Sequence, residues 1–304
     1  MPAHSYAIYD VFADTALAGN PLAVVFDAGD LETERMQAIA REFNLSETVF
    51  ICPPEKPVHN ASLRIFMPTG ELPFAGHPTV GAAVAIAERK GTTGAGPALV
   101  LMEEKVGLVR AAVRRDQHGL FGEFDLPRLP ARHPNPVTKE MAAAALGLLP
   151  TEIGFENHGV SAWSAGVPYI CVPVHGLDAA ERARLDVDAW VSLFNGMGPM
   201  ETPCPYVYCR ETMLHDSAFH ARMFAGAHGI GEDPATGSAA AALIGAIVHF
   251  DEPTIGLHRM VIEQGMEMGR PSRITLEMDV EHATLQAARI GGHAVKVAEG
   301  TLFA

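Results

Sequence analysis

The segment ELPFAGH at residues 71–77 recurs in altered form as EDPATGS at residues 232–238, and each copy runs into an apolar stretch of small residues. The similarity extends upstream, where RIF at residues 64–66 corresponds to RMF at residues 222–224. Repetition in the same order along two halves of a chain predicts a duplicated fold. The equivalent loops of such a fold can face each other across a cleft, so the paired turns are the first candidates for a site.

Composition and charge limit the kinds of protein that this chain can be. It has 304 residues, of which 48% are hydrophobic and 19% charged, enough for two domains with well-filled cores. The net charge of −14 repels phosphate backbones and anionic lipids, so we expect neither nucleic acid nor membrane partners. Residues 1–10 lack the charged and apolar regions of a signal peptide, which predicts a cytoplasmic protein.

The cysteines and histidines show no spacing typical of a metal site. The four cysteines, at positions 52, 171, 204 and 209, form no Cys-x-x-Cys pair, and the 14 histidines show no His-Glu-x-x-His motif. The glycines at positions 226, 229 and 231 lack the strand–turn–helix setting of a dinucleotide site. The sequence therefore predicts reduced thiols, no metal and no cofactor.

Hydrophobic periodicity predicts the elements that carry the repeated turns. Apolar residues at helical spacing favour an amphipathic helix over residues 31–44, and strand-like composition favours strands over residues 47–52 and 61–67. Residues 79–87 and 239–248 are apolar almost all round, which is typical of buried helices.

Prolines between residues 127 and 137 predict a linker between two domains. We place the first domain at residues 1–127 and the second at residues 138–304. In each domain we expect a helix enclosed by a curved sheet. Residues 294–303 are expected to cross back and complete a sheet in one half or the other.

Both repeated turns place a glycine at the mouth of a buried helix. Gly76 precedes His77, and Gly237 precedes Ser238, with Thr236 as a candidate cap. Such a mouth presents unpaired backbone N–H groups and the positive end of the helix dipole. Two of them aimed at one cleft would hold a carboxylate without any arginine. A well-capped helix is the simpler interpretation of one motif alone, and its occurrence in both halves favours a binding site.

Three side chains are candidates for acid–base chemistry. His77 can exchange a proton near neutral pH, although a histidine at a helix start often only caps or packs. Asp233 precedes a proline, where an Asx turn is the simpler role. Glu47 lies beside an apolar strand, where burial would raise its pKa toward the range useful for proton transfer, although most such glutamates are solvated. Acid and base candidates without a metal or dinucleotide motif suit cofactor-free proton transfer at carbon.

Motifs along nearly the whole chain resemble the PhzF family of phenazine-biosynthesis-like proteins, which is related in fold to diaminopimelate epimerase. These motifs are DVF at 10–12, GNPLAV at 19–24, NLSETVF at 44–50, GELPFAGHPT at 70–79, GEDPATGSA at 231–239, QG at 264–265 and MGRPS at 268–272. The resemblance implies an α+β fold of two similar, pseudo-repeated domains, each a barrel-like β-sheet wrapped around a central helix.

The resemblance also implies a homodimeric isomerase with its active site between the two domains. It gives catalytic roles to Glu47, His77 and Asp233, with Glu47 as the proton-transferring residue. The implied substrate-binding residues stand at the two helix mouths and are Gly76, Gly237 and Ser238. Related racemases carry two cysteines at these mouths, and none of the four cysteines here does, which disfavours a two-thiol racemase.

The family's named reaction is isomerisation of trans-2,3-dihydro-3-hydroxyanthranilate, in which a hydrogen moves between carbons of a ring diene. We therefore expect Glu47 to take a proton from an sp³ carbon of a small carboxylate-bearing substrate and to return it elsewhere on the same face. Two alternatives remain open. An epimerase or racemase would need acid and base on opposite faces of one carbon, which Glu47 with His77 or Asp233 could supply. A non-catalytic binding protein on the same scaffold would bind a small molecule without proton exchange.

Overall fold

The structure is a computed structural model that describes residues 3–92, 94, 96–194 and 196–304. The chain divides into unit 1, Met1–Pro127 with Ile290–Ala304, and unit 2, Arg128–Arg289. Residues 290–304 thus lie in unit 1, one of the two placements that the sequence left open for the carboxyl-terminal segment, so unit 2 ends at Arg289 and not at the expected residue 304. The reason is that the last strand of the chain pairs antiparallel with the first strand, so the carboxyl-terminal segment belongs to unit 1.

The described residues of unit 1 form two helices, α1 (Thr33–Phe43) and α2 (Gly76–Arg89), which are both close to their predicted bounds. Its strands are β1 (Ala3–Val11), β2 (Asn20–Val25), β3 (Glu47–Cys52), β4 (Ala61–Met67), β5 (Gly70–Leu72), β6 (Ala98–Glu104), β7 (Gly107–Asp116), β8 (Gly119–Asp125) and the later part of β17 (Thr284–Phe303). Pairing follows the order β1, β2, β3, β4, β6, β7, β8, β17, and β17 returns to β1. Eight of the nine strands named for unit 1 thus form a closed ring, and the ninth, β5, pairs with β4.

Helix α2 lies inside this ring, in contact with β1, β2, β3, β6, β7 and β8. Its residues are buried from Gly76 to Ala87, which confirms the prediction of a buried helix. Small side chains make this possible. A Cβ added at Gly81 would lie 2.5 Å from the side chain of Leu22 and 2.8 Å from that of Val11, so the helix approaches the strands more closely than alanine allows.

Unit 2 contains the helices α3 (Lys139–Leu146), α4 (Leu177–Arg182), α5 (Val187–Ser192) and α6 (Gly237–Asp251), and short 3₁₀ helices at Pro150–Glu152, Pro199–Glu201 and Gly226–His228. Its strands are β9 (Ala131–Arg132), β10 (Ser161–Ser164), β11 (Pro168–Pro173), β12 (Cys204–Cys209), β13 (Phe219–Phe224), β14 (Glu232–Asp233), β15 (Gly256–Gln264) and β16 (Ser272–Glu281). The strands pair in the order β9, β10, β11, β12, β13, β15, β16, with β14 on β13. Helix α6 packs on β9, β10, β11 and β16.

The predicted duplication is visible in the strand registers. In unit 1, β2 and β3 pair in parallel with Leu22 opposite Glu47. In unit 2, β11 and β12 pair in parallel with Tyr169 opposite Cys204. Both pairs precede an antiparallel strand and then the central helix, so the two units repeat one order of elements. Among the described helices, none combines the length and the apolar character needed to cross a membrane.

Candidate active site

In unit 1, His77 lies between Asn20 and Glu47 at the amino end of α2. Nδ2 of Asn20 lies 3.3 Å from Nδ1 of His77, and Nε2 of His77 lies 3.4 Å from Oε2 of Glu47. An amide nitrogen only donates, so Nδ1 of His77 accepts and the ring proton is assigned to Nε2, the nitrogen nearer the carboxylate. Two of the three predicted catalytic residues are therefore neighbours in this unit.

The burial of His77 determines its charge. The side chain is 5% exposed, and desolvation lowers its pKa to about 3. His77 is consequently neutral at pH 7, whereas the sequence suggested a group that exchanges its proton near neutral pH. A neutral imidazole with its proton on Nε2 directs that N–H toward the Glu47 carboxylate, 3.4 Å away.

Glu47 begins β3, and its side chain is 14% exposed. The carboxylate is thus largely withdrawn from water at a strand edge, in the setting that the sequence suggested. Gly76 is the first residue of α2, and the residue before it, Ala75, has an extended backbone and provides no side-chain cap. The backbone N–H groups of this first turn therefore lie beside His77 with no capping oxygen from Ala75.

In unit 2, Asp233 lies in a turn that is held by one buried amide. The Thr236 hydroxyl donates to Oδ2 of Asp233. Nε2 of Gln264 donates to the Asp233 carbonyl at 2.8 Å and lies 3.1 Å from Oγ1 of Thr236. Thr236 precedes α6 as expected for a cap, but its hydroxyl bonds Asp233 instead of a helix N–H group.

Gln264 itself is fully buried, and its amide oxygen accepts from the Thr236 N–H at 3.3 Å and from the Tyr206 hydroxyl at 3.1 Å. Gly237 begins α6, and Ser238 follows it. Oγ of Ser238 lies 2.7 Å from the hydroxyl of Tyr169, which fixes the serine side chain at the helix mouth. The predicted residues of this half thus lie together in one hydrogen-bonded turn.

Cys204 occupies the position of unit 2 that corresponds to Glu47. Tyr169 of unit 2 is equivalent to Leu22 of unit 1, and Tyr169 lies opposite Cys204 in its strand pair just as Leu22 lies opposite Glu47. Burial, with a contribution from the charge of Asp233, raises the pKa of Cys204 to about 12. A protonated thiol is a poor acid–base group at neutral pH. The equivalent positions of the two units are therefore chemically unequal, with a carboxylate in unit 1 and a protonated thiol in unit 2.

One cluster of side chains in the described residues has the spacing of metal ligands. Its ligand atoms, from Glu156, His158 and Asp251, lie within 4.8 Å of one another. The Arg210 guanidinium already lies 2.7 Å from Oδ1 of Asp251 and 3.0 Å from Oε2 of Glu156. The arginine supplies the positive charge that a cation would bring, so the group fits an ion-pair cluster better than a metal site.

The sequence analysis gave no role to Asn20, Gln264 and Tyr169. Asn20 and Gln264 are each fully buried at the end of an apolar strand. Buried amides need partners, so a polar residue at a strand end inside a shared motif was the available signal. Tyr169 carried no such signal, because a tyrosine in an apolar strand is ordinarily part of the core.

A family model described as phenazine biosynthesis-like protein (PhzC-PhzF) matches residues 9–300. The chain belongs to this family. An uncharacterized isomerase of Mesorhizobium japonicum is 57% identical over 303 residues, covering all of both chains. The trans-2,3-dihydro-3-hydroxyanthranilate isomerase of Pseudomonas aeruginosa is 31% identical and covers 99% of each chain.

A solved structure of a Bacillus anthracis PhzF-family protein is similar over the full length of both chains, with a TM-score of 0.88 and 27% identity. This similarity confirms the fold class predicted from the sequence. Membership of the PhzC-PhzF family also makes the protein an isomerase, which confirms the predicted class of enzyme.

Proposed function

We propose that this PhzC-PhzF protein moves a proton between two carbons of a small carboxylate-bearing substrate without a cofactor. The observation that carries the proposal is the 3.4 Å approach of His77 Nε2 to Glu47 Oε2 at the mouth of a buried helix. A carboxylate that is mostly buried and oriented by a neutral donor is suited to take up and return a proton.

In the proposed reaction, the Glu47 carboxylate takes a proton from an sp³ carbon of the substrate. The electron pair of the broken C–H bond moves into the neighbouring π system. The protonated Glu47 then gives the same proton to the carbon at the other end of that system. The neutral ring of His77 keeps the carboxyl group in one orientation through both steps.

Asp233 and Ser238 are proposed to position polar groups of the substrate, and the backbone N–H groups at Gly76 and Gly237 are proposed to donate hydrogen bonds to its carboxylate. The inequality of Glu47 and Cys204 supports a single proton carrier, because the buried thiol is not ionised at neutral pH. A single carrier favours a proton shift along one face over inversion of a stereocentre.

The test uses the substrate named for the Pseudomonas aeruginosa relative, trans-2,3-dihydro-3-hydroxyanthranilate, in D₂O, with products followed by NMR and mass spectrometry. Glu47→Gln should lose turnover by at least about 100-fold, the usual contribution of a positioned acid–base group. Glu42→Gln, on the exposed face of α1, is the matched control and should keep full activity. Full turnover by Glu47→Gln would show that another group carries the proton.

The same experiment separates the alternatives. A proton shift gives a product with a moved double bond, and the deuterium content shows how far Glu47 exchanges its proton with solvent. An epimerase would instead return the starting skeleton with one inverted centre, which chiral chromatography detects. If no small carboxylate shows exchange at carbon but one binds tightly, the protein acts as a binding module.

Two further properties belong to the proposal. We propose that activity needs no cofactor, so exhaustive dialysis against a chelator should leave turnover unchanged. We also propose a homodimer, as the PhzF resemblance implies, which light scattering behind size-exclusion chromatography would measure directly. Loss of activity that added metal restores would overturn the first, and a monomer at assay concentration would overturn the second.

A further inference from the structure

The strand that follows the central helix ends in a buried polar residue in both units. This residue is Glu104 at the end of β6 and Gln264 at the end of β15. The registers make the two equivalent, because β4 pairs with β6 in parallel through Ser62 and Glu103, and β13 pairs with β15 in parallel through His220 and Glu263. The end of each strand lies behind the turn that opens the central helix.

The residues one position earlier, Glu103 and Glu263, support this equivalence. Each glutamate accepts two consecutive backbone N–H groups and lies within 3.0 Å of Nδ1 of a histidine. The partners are Glu55, Lys56 and His59 in unit 1 and Met213, Leu214 and His220 in unit 2. Glu104 and Gln264 therefore occupy the same place in two copies of one local structure.

Glu104 contacts the first turn of α2 through Thr79. Oγ1 of Thr79 lies 2.9 Å from Oε1 of Glu104 and 2.8 Å from the carbonyl oxygen of Ala75. The threonine hydroxyl has one proton and cannot donate to both oxygens. If Thr79 donates to Ala75, the contact with Glu104 is a hydrogen bond only when the carboxyl group brings a proton of its own.

The burial of Glu104 also favours a protonated, neutral carboxyl group. The residue is 8% exposed, and Oε2 has no hydrogen-bond partner among the described residues. An ionised carboxylate with one buried oxygen left unpaired is costly, whereas a carboxylic acid is not. Burial raises the pKa of Glu104 to about 8, against the smaller opposing effect of the bond with Thr79. Gln264, its equivalent, is a neutral group that both donates and accepts.

We propose that Glu104 is a positioning residue held as a neutral carboxylic acid, which donates to Thr79 and thereby lets Thr79 fix the Ala75 carbonyl next to Gly76 and His77. Loss of the acid proton makes Glu104 compete with Ala75 for the Thr79 hydroxyl. The turn that presents Gly76 and orients His77 then loosens. The effect on turnover rests on the proposed function, but the protonation state of Glu104 does not.

Ionisable side chains on the elements around Glu104 are mostly engaged elsewhere. Lys105 and Arg64 both bind Glu71. The other ionisable residues of the neighbouring strands and of α2 are Glu103, Arg110, Arg114, Arg115, Asp116, His77, Glu88 and Arg89. Of these, Glu103 binds His59, Arg110 binds Asp125, Arg114 binds Glu123, Asp116 binds His293, Glu88 binds Tyr9 and Arg89 binds Asp27. His77 is held neutral by its own burial.

The decisive variants are Glu104→Gln, which keeps a donor toward Thr79, and Glu104→Leu, which removes it. We expect Glu104→Gln to keep kcat/KM within about threefold of the wild type at pH 7, and Glu104→Leu and Thr79→Val to lower kcat by more than about tenfold. Wild-type activity should fall above about pH 8, and Glu104→Gln should abolish that fall. A Glu104→Gln variant as inactive as Glu104→Leu would overturn the role.

A second readout does not depend on turnover or on the stability of a variant. Infrared spectra of the wild type at neutral pH should contain a buried carboxylic-acid carbonyl band that disappears above about pH 8 and is missing from folded Glu104→Gln. A wild type with this band but without turnover on any carboxylate would overturn the proposed function and leave the assignment of Glu104 intact. Turnover without the band would overturn this inference alone.

Discussion

Arg222 holds Glu232 with two parallel hydrogen bonds, Nε to Oε1 at 2.9 Å and Nη2 to Oε2 at 2.8 Å. The arginine side chain is 3% exposed, and Glu232 directly precedes Asp233. We expect Arg222→Met to leave the mostly buried Glu232 carboxylate, 16% exposed, without its arginine partner and to lower the free energy of unfolding by about 3–5 kcal/mol. Urea unfolding monitored by circular dichroism measures this change.

The first half of the chain supplies the matched control for Arg222. Arg64 binds Glu71 with the same two distances, but its side chain is 28% exposed, and Lys105 also lies 2.7 Å from Glu71. Because Glu71 keeps Lys105 as a partner when Arg64 is removed, Arg64→Met should lower the free energy of unfolding by only about 1 kcal/mol. Equal losses in the two variants would contradict the importance of burial in the second pair.

The charge state of His77 makes a prediction about pH dependence. Its pKa is lowered to about 3 by burial, so the ring is neutral throughout pH 5–8 and contributes no inflection to kcat/KM in that range. The Asn20→Asp variant places a carboxylate beside Nδ1, which favours the imidazolium and should raise the pKa of His77. ¹⁵N NMR of the ring, assigned with His77→Gln, measures both proteins. A wild-type ring that titrates near pH 6.5 would contradict the assignment.

Gly265 follows Gln264 and has a φ of +79°. A Cβ at this position would lie 2.4 Å from the Arg270 carbonyl oxygen and 2.6 Å from that of Pro234. Gly269 also has positive φ, at +67°, but a Cβ there meets nothing within 4 Å. Gly269→Ala should therefore lower the free energy of unfolding by only about 1–2 kcal/mol, the cost of its backbone conformation. Gly265→Ala should lower it clearly more, because the added Cβ also clashes with two carbonyl oxygens.

Thermal unfolding of the two glycine variants provides the comparison, and kcat/KM gives a second measurement. Gly265→Ala should also lower activity, because the clash with Pro234 displaces the turn that carries Asp233. If both variants unfold at the same temperature, close backbone contact is not what requires glycine at position 265.

His220 is enclosed by Glu263 and Glu267, which contact its two ring nitrogens at 3.0 and 2.8 Å. Burial alone would lower its pKa, but these two hydrogen bonds outweigh that effect and raise the pKa to about 9. The stabilisation is complete below the ordinary histidine pKa of 6.5 and disappears as the pH rises to about 9.

Replacing His220 with glutamine should remove this pH dependence. In the wild type, the extra proton on folded His220 makes the free energy of unfolding fall by up to about 1.4 kcal/mol per pH unit between pH 6.5 and 9. Subtracting the values for the glutamine variant isolates this contribution. The free energy of unfolding is measured by urea titration at several pH values. A constant difference across the range would mean that His220 is neutral in the folded protein.

The elements that the sequence predicted well are those with a strong local pattern. Strands β3 and β4 have their predicted bounds of residues 47–52 and 61–67, and α2 contains the predicted apolar stretch at residues 79–87. The duplication was visible because similar turn residues precede the apolar helical stretch in both halves of the chain. Local periodicity and turn chemistry were sufficient for these features.

What the sequence missed depends on contacts between distant residues. The two-residue strand β9 forms inside the segment taken for a linker because Arg132 pairs with Trp163. The sequence predicted that the carboxyl-terminal strand crosses back but not which half it completes, because its pairing with β1 joins residues nearly 300 positions apart, which no local pattern encodes. The neutral state of His77 likewise depends on burial by the surrounding ring of strands, and not on its neighbours in sequence.

The closure of the eight-stranded ring by β1 and β17 has a consequence for how the protein is made. Strand β1 is synthesised nearly 300 residues before the part of β17 with which it pairs. Unit 2 is a continuous segment, so all of its strands are available earlier than the closing strand of unit 1. Unit 2 can therefore complete its strands before unit 1 closes, in contrast to the usual order in which the amino-terminal domain folds first. Until residues 290–304 are synthesised, β1 lacks its β17 partner. A nascent chain stalled before residue 290 would expose this unpaired edge of β1 to chaperones and proteases.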